Sequence, residues 1–543
     1  MKPRLAALRS VVTDATLRRL EAAFAGFSIA EHATWISTLV YAFERGGVRQ
    51  AGIVAFALLL AAMLVAPLLS YAGDRFRRDR VLAAGYAAQA TAMAATAIAM
   101  HAGLNPVLVY VQAGLAATAV TVIRPAMGAL LPFVADTPGD LVAANVAMGL
   151  LENGGIFLGP LIAAALLAFG SPALVFLVMA ATVAVSAVLV VRMAGDRERL
   201  RPPEGSHSSA VWGEVLGGFR AMREQPDIAV LIGCLSFGAV SAGAIEVLFV
   251  ALAGQFSAGR AEAGLLNSAF GAGAIAGAGA SVVLVGRARM TPFLVLGTVM
   301  LSAPLVVLAA YTNRMSAIVL LAISGVGLSV LKIAGTSLLQ RVARAATAGR
   351  VFGVLEALQM GMMAVGSFAV SALASAFGLR VALVTAGLAV PSLSALLARR
   401  LFVMDRHGVP ADPVIVNRLR KDPIFAPLSA PSLERLALAT VRLEIPRGGL
   451  VIREGDAGDT FYLVLSGAVD ILIRGDHVRI VTTGGSFGEI ALLRDIGRTA
   501  TAVAAERSEL LVLGRAPFLE ALNEHHRART TAEDVVDQSL LRT

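Results

Sequence analysis

Four ionisable side chains stand inside runs of otherwise apolar residues: Glu31, Arg124, Glu246 and Lys332. In hydrocarbon such groups are costly, and by default they mark a functional site. Three chemistries fit them. They can bind a substrate; an acid held in low dielectric can load and release a proton; or each acid pairs with a base, since two acids and two bases balance. Glu31 shares a helical face with Ser28, Trp35 and Thr38, at spacings of three and four residues. A polar, aromatic stripe of that kind suits a cavity wall, and Glu31 is the first candidate to carry a proton. A second polar group lies near the end of the chain, in "SFGEIALLRDIGRTATAVA" (486–504). Here Glu489 and Arg498 stand nine residues apart among turn-forming glycines. An arginine fork suits a pair of anionic oxygens, and a carboxylate accepts from a hydroxyl. No nucleophile constellation, triphosphate loop or metal cluster accompanies these groups, so no enzymatic activity and no cofactor are expected. Cys234 is the one cysteine, which excludes a disulfide framework and a cysteine-based metal site.

The elements that must position these residues are mostly membrane helices. The 543 residues are 57% hydrophobic and 15% charged, against about 25% charged in an ordinary soluble chain. Runs of about 20 apolar residues, enough to span a bilayer, occur at 20–41, 51–72, 80–100, 107–132, 141–168 and 172–191. After a polar stretch come 227–252, 262–285, 291–311, 315–339, 350–377 and 379–401. That predicts twelve spans in two sets of six. Arginines gather in alternate loops: Arg75, Arg77, Arg78 and Arg80, then Arg197, Arg199 and Arg201, then Arg287 and Arg289, then Arg341, Arg344 and Arg350. The loops between them are short and nearly uncharged. By the positive-inside rule both termini are cytoplasmic, in a cell (plasma or inner) membrane. The net charge of +9 is read as these loop arginines, not as a nucleic-acid interface. The N-terminus is basic but lacks the short apolar core and cleavage site of a signal peptide.

The two sets repeat. A shift of 212 residues lays Gly52 on Gly264, Arg75 on Arg287 and Gly85 on Gly297, and "GLLE" (149–152) matches "GVLE" (353–356). Paired six-helix halves place a substrate site near the midplane at their interface. "SYAGDRFRRDRVL" after the second run resembles the loop signature of the major facilitator superfamily: Asp74, Arg75 and Arg78 match, while Ser70 and Arg77 replace its glycines. "GGIFLGP" (154–160), with Gly155, Gly159 and Pro160, resembles the signature of proton-coupled exporters of that superfamily; alternatively it is a small-residue packing face. The resemblance covers roughly residues 15–402. It implies that spans one, four, seven and ten line a central cavity, which places Glu31, Arg124, Glu246 and Lys332 there. Glu152 and Glu356 are equivalent in the repeat, as are Arg75 and Arg287. The pattern predicts gating pairs Arg75–Glu356 and Arg287–Glu152 near the cytoplasmic face.

From about residue 413 the pattern changes. Leu428, Leu433, Leu436 and Leu438 suggest an apolar helical face. Short strand-like runs follow ("VRLEI", "GLVIRE", "TFYLVLSG", "AVDILIRG", "HVRIVTTG", "TAVAA", "ELLVLG"), separated by Gly and Asp turns, which argues a β-roll. Helical pieces close the chain. The order of these runs resembles the cyclic nucleotide-binding domain from about residue 422 onward. Phe487, Gly488, Glu489, Ile490, Ala491, Arg498, Thr499 and Ala500 fall on its phosphate-binding cassette. The resemblance implies that Arg498 holds the cyclic phosphate and Glu489 the ribose 2′-hydroxyl, with backbone N–H groups of Ala491 and Thr499 adding contacts. Cyclic AMP is preferred to cyclic GMP, although the Thr499 hydroxyl could reach a guanine amino group. A base-covering group is expected within 535–541.

The sequence thus predicts an α-helical membrane protein with twelve transmembrane helices in two six-helix pseudo-repeats, plus a cytoplasmic β-roll domain with flanking helices. The expected segments are a first transporter half (1–195), a central loop (196–226), a second half (227–402), a linker (403–423) and the nucleotide-binding domain (424–543). The expected function is proton-coupled efflux of a small amphipathic molecule, regulated by the nucleotide. A receptor without transport, or a lipid or lysolipid translocator, are the alternatives. The implied partners are the cyclic nucleotide, the bilayer, protons and an unknown small-molecule substrate, with no nucleic acid.

Overall fold

The computed structural model describes residues 14–75, 77–134, 138–193, 220, 222, 226–256, 259–280, 289–342, 345–407, 412–428, 430–494 and 496–524. The chain divides into two compact units, one of long apolar helices and one built around the C-terminal strands.

The apolar unit opens with α1 (Ala15–Arg75). As a single rod its 61 residues would run about 90 Å, three times the roughly 30 Å hydrocarbon core. The helix is broken at Gly46 and Gly47, and Gly47 has φ of 63°, a left-handed conformation that glycine adopts without steric penalty. The following helices are α2 (Arg78–His101), α3 (Pro106–Thr118), α4 (Val120–Val134), α5 (Pro138–Phe169) and α6 (Pro172–Val191). Then come α7 (Pro226–Gln255), α8 (Ala261–Ala280), α9 (Thr291–Ala310), α10 (Arg314–Val342), α11 (Ala345–Phe377) and α12 (Leu379–His407). Helix starts follow local chemistry. At α3 the Asn105 side chain accepts from the Val107 N–H at 2.9 Å, and Pro106 fills the first turn, where no donor is needed. Among the described residues ten helices are long and apolar enough to cross a membrane.

Small residues set how these helices meet. A Cβ at Gly155 would overlap Ser28, and one at Gly159 would lie 2.7 Å from the Ile29 carbonyl oxygen. On α8, a Cβ at Gly264 or Gly271 would lie 2.6 Å from the carbonyl oxygens of Pro160 and Ile156. Helix α5 is therefore held between α1 and α8 at backbone-contact distance, which only small residues allow.

The C-terminal unit begins with α13 (Pro413–Lys421) and α14 (Ala430–Ala439). Its strands are β1 (Thr440–Ile445), β2 (Leu450–Ile452), β3 (Thr460–Ser466), β4 (Ala468–Ile473), β5 (Asp476–Thr482), β6 (Ser486–Phe487), β7 (Thr501–Ala504) and β8 (Ser508–Gly514). Helix α15 (Glu489–Arg494) follows β6, and α16 (Arg515–Glu524) follows β8. Two four-stranded antiparallel sheets form, ordered β1-β8-β3-β6 and β2-β7-β4-β5. Strand β3 is buried on both faces. Phe461 and Leu463 pack with the helices, where Phe425, Phe461 and Phe518 form an aromatic trio; Tyr462 and Val464 join the cluster between the sheets. That double burial follows from the period-two alternation of a strand whose two faces are both apolar.

One expectation is corrected here. Leu433, Leu436 and Ala437 line the buried face of α14, but Leu438 is exposed. It lies five positions beyond Leu433, off the stripe that spacings of three and four define. The base-covering group expected within 535–541 lies outside the described residues.

Candidate functional site

The cassette is built on β6 and α15. Tyr462 on β3 pairs with Phe487 on β6, and their rings stack at 5.1 Å. Gly488 then takes φ of 91°, turning the chain into α15. Gly458 packs so close to Ala491 that any side chain there would overlap it. Arg498 is buried, and its guanidinium is held by β3 and the turn. Nη1 donates to the Gly488 carbonyl at 3.1 Å, and Nη2 donates to the Thr460 carbonyl at 2.7 Å and to Thr460 Oγ1 at 2.8 Å. The backbone of Arg498 is also anchored: its N–H donates to Asp456 and its carbonyl accepts from Gly455.

Glu489 is 3% exposed, and its Oε2 has no hydrogen-bond partner within the protein. Burial pushes its carboxyl above the ordinary glutamate range. Burial likewise draws the Arg498 guanidinium below its ordinary value, opposed by nearby Tyr462, Asp459, Glu489 and Asp456. A buried acceptor without a donor and a clamped guanidinium fit a ligand that brings a hydroxyl and an anion together. Of the other expected residues, Phe487 and Ala491 are buried, Ile490 and Thr499 are half-buried, and Ala500 packs against the inter-sheet cluster. Asp422 is also buried here; its Oδ1 accepts from the Ile424 N–H at 2.9 Å, and it acts electrostatically on Glu489.

In the apolar unit the expected charges converge in part. Arg124 bridges two acids, with Nη2 donating to Glu31 Oε2 at 2.8 Å and Nη1 to Glu152 Oε1 at 2.6 Å. Trp35 Nε1 donates to Glu246 Oε2 at 3.0 Å, joining α1 to α7. Glu31, Trp35 and Glu246 border a cavity of about 210 Å³ whose wall also includes Gln89, Met360 and Met363. The lining comes from α1, α2, α3, α4, α6, α7 and α11.

Three expectations change. Lys332 is exposed and is not part of this wall; α11 contributes where the tenth span was expected, through Met360 and Met363. Glu152, expected at a gate, is drawn instead into the Arg124 cluster, because one guanidinium fork serves two carboxylates at once. Glu31, the first candidate for a proton, is ion-paired. Among the described residues Glu246 has no ion-pair partner and takes only the neutral Trp35 donor. Glu356 is exposed on α11. The side chains of Asp74, Arg75 and Arg78, and all of Arg287, lie outside the described residues, so both predicted gating pairs do too.

Sequence reasoning missed Thr460 and Asp422, which reach the cassette across long sequence separations. It also missed Glu44 and Arg260, which pair between α1 and the connection from α7 to α8. Their signal was an acid just past the first apolar run and a base just before the eighth.

Residues 22–367 match the family model for the Major Facilitator Superfamily, and residues 442–525 match that for the cyclic nucleotide-binding domain. The cAMP-dependent protein kinase regulatory subunit of Yarrowia lipolytica is 37% identical over 106 residues, 19% of this chain and 28% of that protein. A cGMP-dependent protein kinase of Toxoplasma gondii is 31% identical over 121 residues, 22% of this chain and 12% of that one. The chain thus spans about a quarter or less of these relatives. The crystal structure of a mutant of the nucleoside transporter NupG is similar over 72% of this chain and all of that one, with a TM-score of 0.59 and 13% identity, a likeness of fold. The clamped arginine and buried acid thus sit in a stretch matching the cyclic nucleotide-binding domain, and the chain itself belongs to the Major Facilitator Superfamily.

Proposed function

We propose that the protein is a proton-coupled exporter of small amphipathic molecules whose activity is set by cyclic AMP bound at the C-terminal unit. A reading of twelve spans is supported by dividing α1 at Gly46–Gly47, taking α3 and α4 together as one span, and including α8. The cavity supports an amphipathic substrate: acids and Trp35 stand beside Phe176, Met93, Met360 and Met363, a polarizable, adaptable wall. Glu246 is the group assigned to proton exchange. Arg124 holds Glu31 and Glu152 as their ion-pair partner, leaving Glu246 with one neutral hydrogen bond. An acid in that setting changes charge with its proton, and Trp35 carries that change from one half to the other. Both termini are assigned to the cytoplasm, where the cassette meets cyclic nucleotide.

The observation that carries the regulatory reading is the buried pair Glu489 and Arg498. The first supplies an orphan acceptor for the ribose 2′-hydroxyl, and the second a guanidinium fork for the cyclic phosphate. The relatives named as cAMP-dependent kinase subunits support cyclic AMP over cyclic GMP. Titration calorimetry of the purified chain with each nucleotide tests this. Tighter binding of cyclic AMP is expected, and absence of heat with both nucleotides would overturn the regulatory reading. Flux of a fluorescent amphipathic cation in vesicles with an imposed pH gradient tests transport. Flux insensitive to the gradient would remove proton coupling.

A further inference from the structure

Between the start of α1 and the cavity lies a set of buried polar groups that neither the Arg124 cluster nor the Trp35–Glu246 contact uses. Glu21 is 5% exposed, and neither of its carboxylate oxygens has a hydrogen-bond partner. On α2, the Tyr86 hydroxyl is buried without a partner, and so are both amide atoms of Gln89. Tyr86 and Gln89 are three residues apart, on one helical face. Glu21 acts electrostatically on Tyr86, and the Tyr86 ring packs 5.8 Å from that of Phe27. One turn beyond Gln89 is Met93, and both residues border the cavity. Five buried polar atoms without a partner are thus carried by Glu21, Tyr86 and Gln89, and the last of these residues borders the cavity. Polar groups this deep in apolar surroundings are ordinarily paired, by protein or by ordered water.

Among the described residues no cation donates a hydrogen bond to either carboxylate oxygen of Glu21. Helix α6, which packs on the same part of α1 through Gly26, offers Thr182 and Ser186; it has no acid or base along Pro172–Val191. On α2 the ionisable residues other than Tyr86 stand at its ends: Arg78, Asp79, Arg80 and His101. Asp79 is paired with Arg77. Within α1, Arg18 is exposed and Arg19 is engaged by the Arg192 carbonyl; on α4, Arg124 is engaged by Glu31 and Glu152. The donor and acceptor inventory suits a water-bridged line. A protonated carboxyl donates, a phenol donates and accepts, and an amide does both from its two ends. Bridging water is stable where each molecule finds two to four polar partners.

We propose that Glu21 is a second proton-binding site, linked by water through Tyr86 and Gln89 to the cavity. The proton enters as a hydrated proton, adds to one carboxylate oxygen, and leaves by the same bond; nothing is oxidised or reduced. Its use in driving export rests on the proton-coupled reading above, but proton binding itself does not.

Infrared difference spectroscopy of the purified full-length protein in lipid, cycled between about pH 5.5 and about pH 8.5 to bracket a perturbed carboxyl, reads the site without any substrate. Because Glu246 and Glu489 also contribute protonated-carboxyl bands, the Glu21 band is read as the component lost from wild type in Glu21→Gln, and it is expected to shift in Tyr86→Phe, where the hydroxyl partner is gone. An unchanged band in a folded Glu21→Gln protein overturns the proposal. So does a band abolished by sodium at fixed pH, which would make this a metal-cation site. Should Glu21→Gln fail to fold, Glu21→Asp must move the band; an unmoved band overturns the proposal equally. If the Glu21 band is present while cation flux ignores a pH gradient, the site stands and the coupling reading falls. If flux follows the gradient and Glu21→Gln leaves the band intact, the site falls alone.

Discussion

Arg498 and Glu489 divide the work of the cassette, and their roles separate in measurement. The Arg498 fork makes three donations to Gly488 and Thr460, so it is already aimed before any ligand arrives. Charge-assisted bonds contribute about 1.5–3 kcal/mol each, so Arg498→Ala is expected to weaken cyclic AMP binding roughly ten- to hundredfold by calorimetry. Glu489 behaves oppositely toward folding. Its raised carboxyl means that, between the ordinary glutamate value and the raised one, the folded chain binds more protons than the unfolded chain. Stability therefore falls as pH rises through that window. Glu489→Gln cannot ionise and escapes that loss. The C-terminal unit of this variant should melt higher than wild type at neutral pH, and the difference should fade at a pH below about 4. Its nucleotide affinity should drop, because a neutral amide oxygen replaces a carboxylate. A variant that melted lower at neutral pH would show that the carboxylate serves the fold instead. The spacing of nine between these two residues made them legible in the sequence. Thr460 was not, because its contact with Arg498 spans 38 residues and exists only once β3 and the cassette are folded together.

At the scale of elements, hydropathy made the long helices legible because a bilayer demands one property over about 20 residues. It said less about which helices approach closely, since that depends on single small residues. Gly154 and Gly155 are adjacent in the exporter-like stretch yet differ entirely. A Cβ at Gly154 meets nothing within 4 Å, whereas one at Gly155 would overlap Ser28 on α1. Gly155→Leu is therefore expected to cost about 1–3 kcal/mol, the usual range for overpacking, read as a lower melting temperature in detergent. Gly154→Ala should be tolerated or slightly stabilising, since alanine is the better helix former. Equal losses at both positions would refute the close α1–α5 approach. Strand β6 escaped the sequence reading for a different reason. Its two residues are too few to show alternation, and their partners, Tyr462 and Leu463, stand more than twenty residues away on β3.

The whole molecule joins a transporter of a known superfamily to a stretch matching a nucleotide-binding domain, and thermodynamics limits what that union can do. A ligand at 100 times its Kd stabilises the unit it binds by about 2.7 kcal/mol, so cyclic AMP should raise the melting temperature of the C-terminal unit. That stabilisation alone regulates nothing. A nucleotide that bound equally well to every transporter conformation would leave their populations unchanged, however tightly it bound. Regulation requires different affinities for the conformations, and by linkage the transport cycle must then alter nucleotide affinity by the same factor. Two measurements follow from that reciprocity. Saturating cyclic AMP should change the initial rate of gradient-driven cation flux in vesicles, and the response should vanish in Arg498→Ala. Conversely, biasing the helices by Glu246→Gln, which removes the charge that Trp35 contacts, should shift the cyclic AMP Kd measured on the full chain. A flux response without such a shift would mean that Glu246 does not report the conformation the nucleotide selects. The absence of both would leave the cassette a binding domain with no hold on transport.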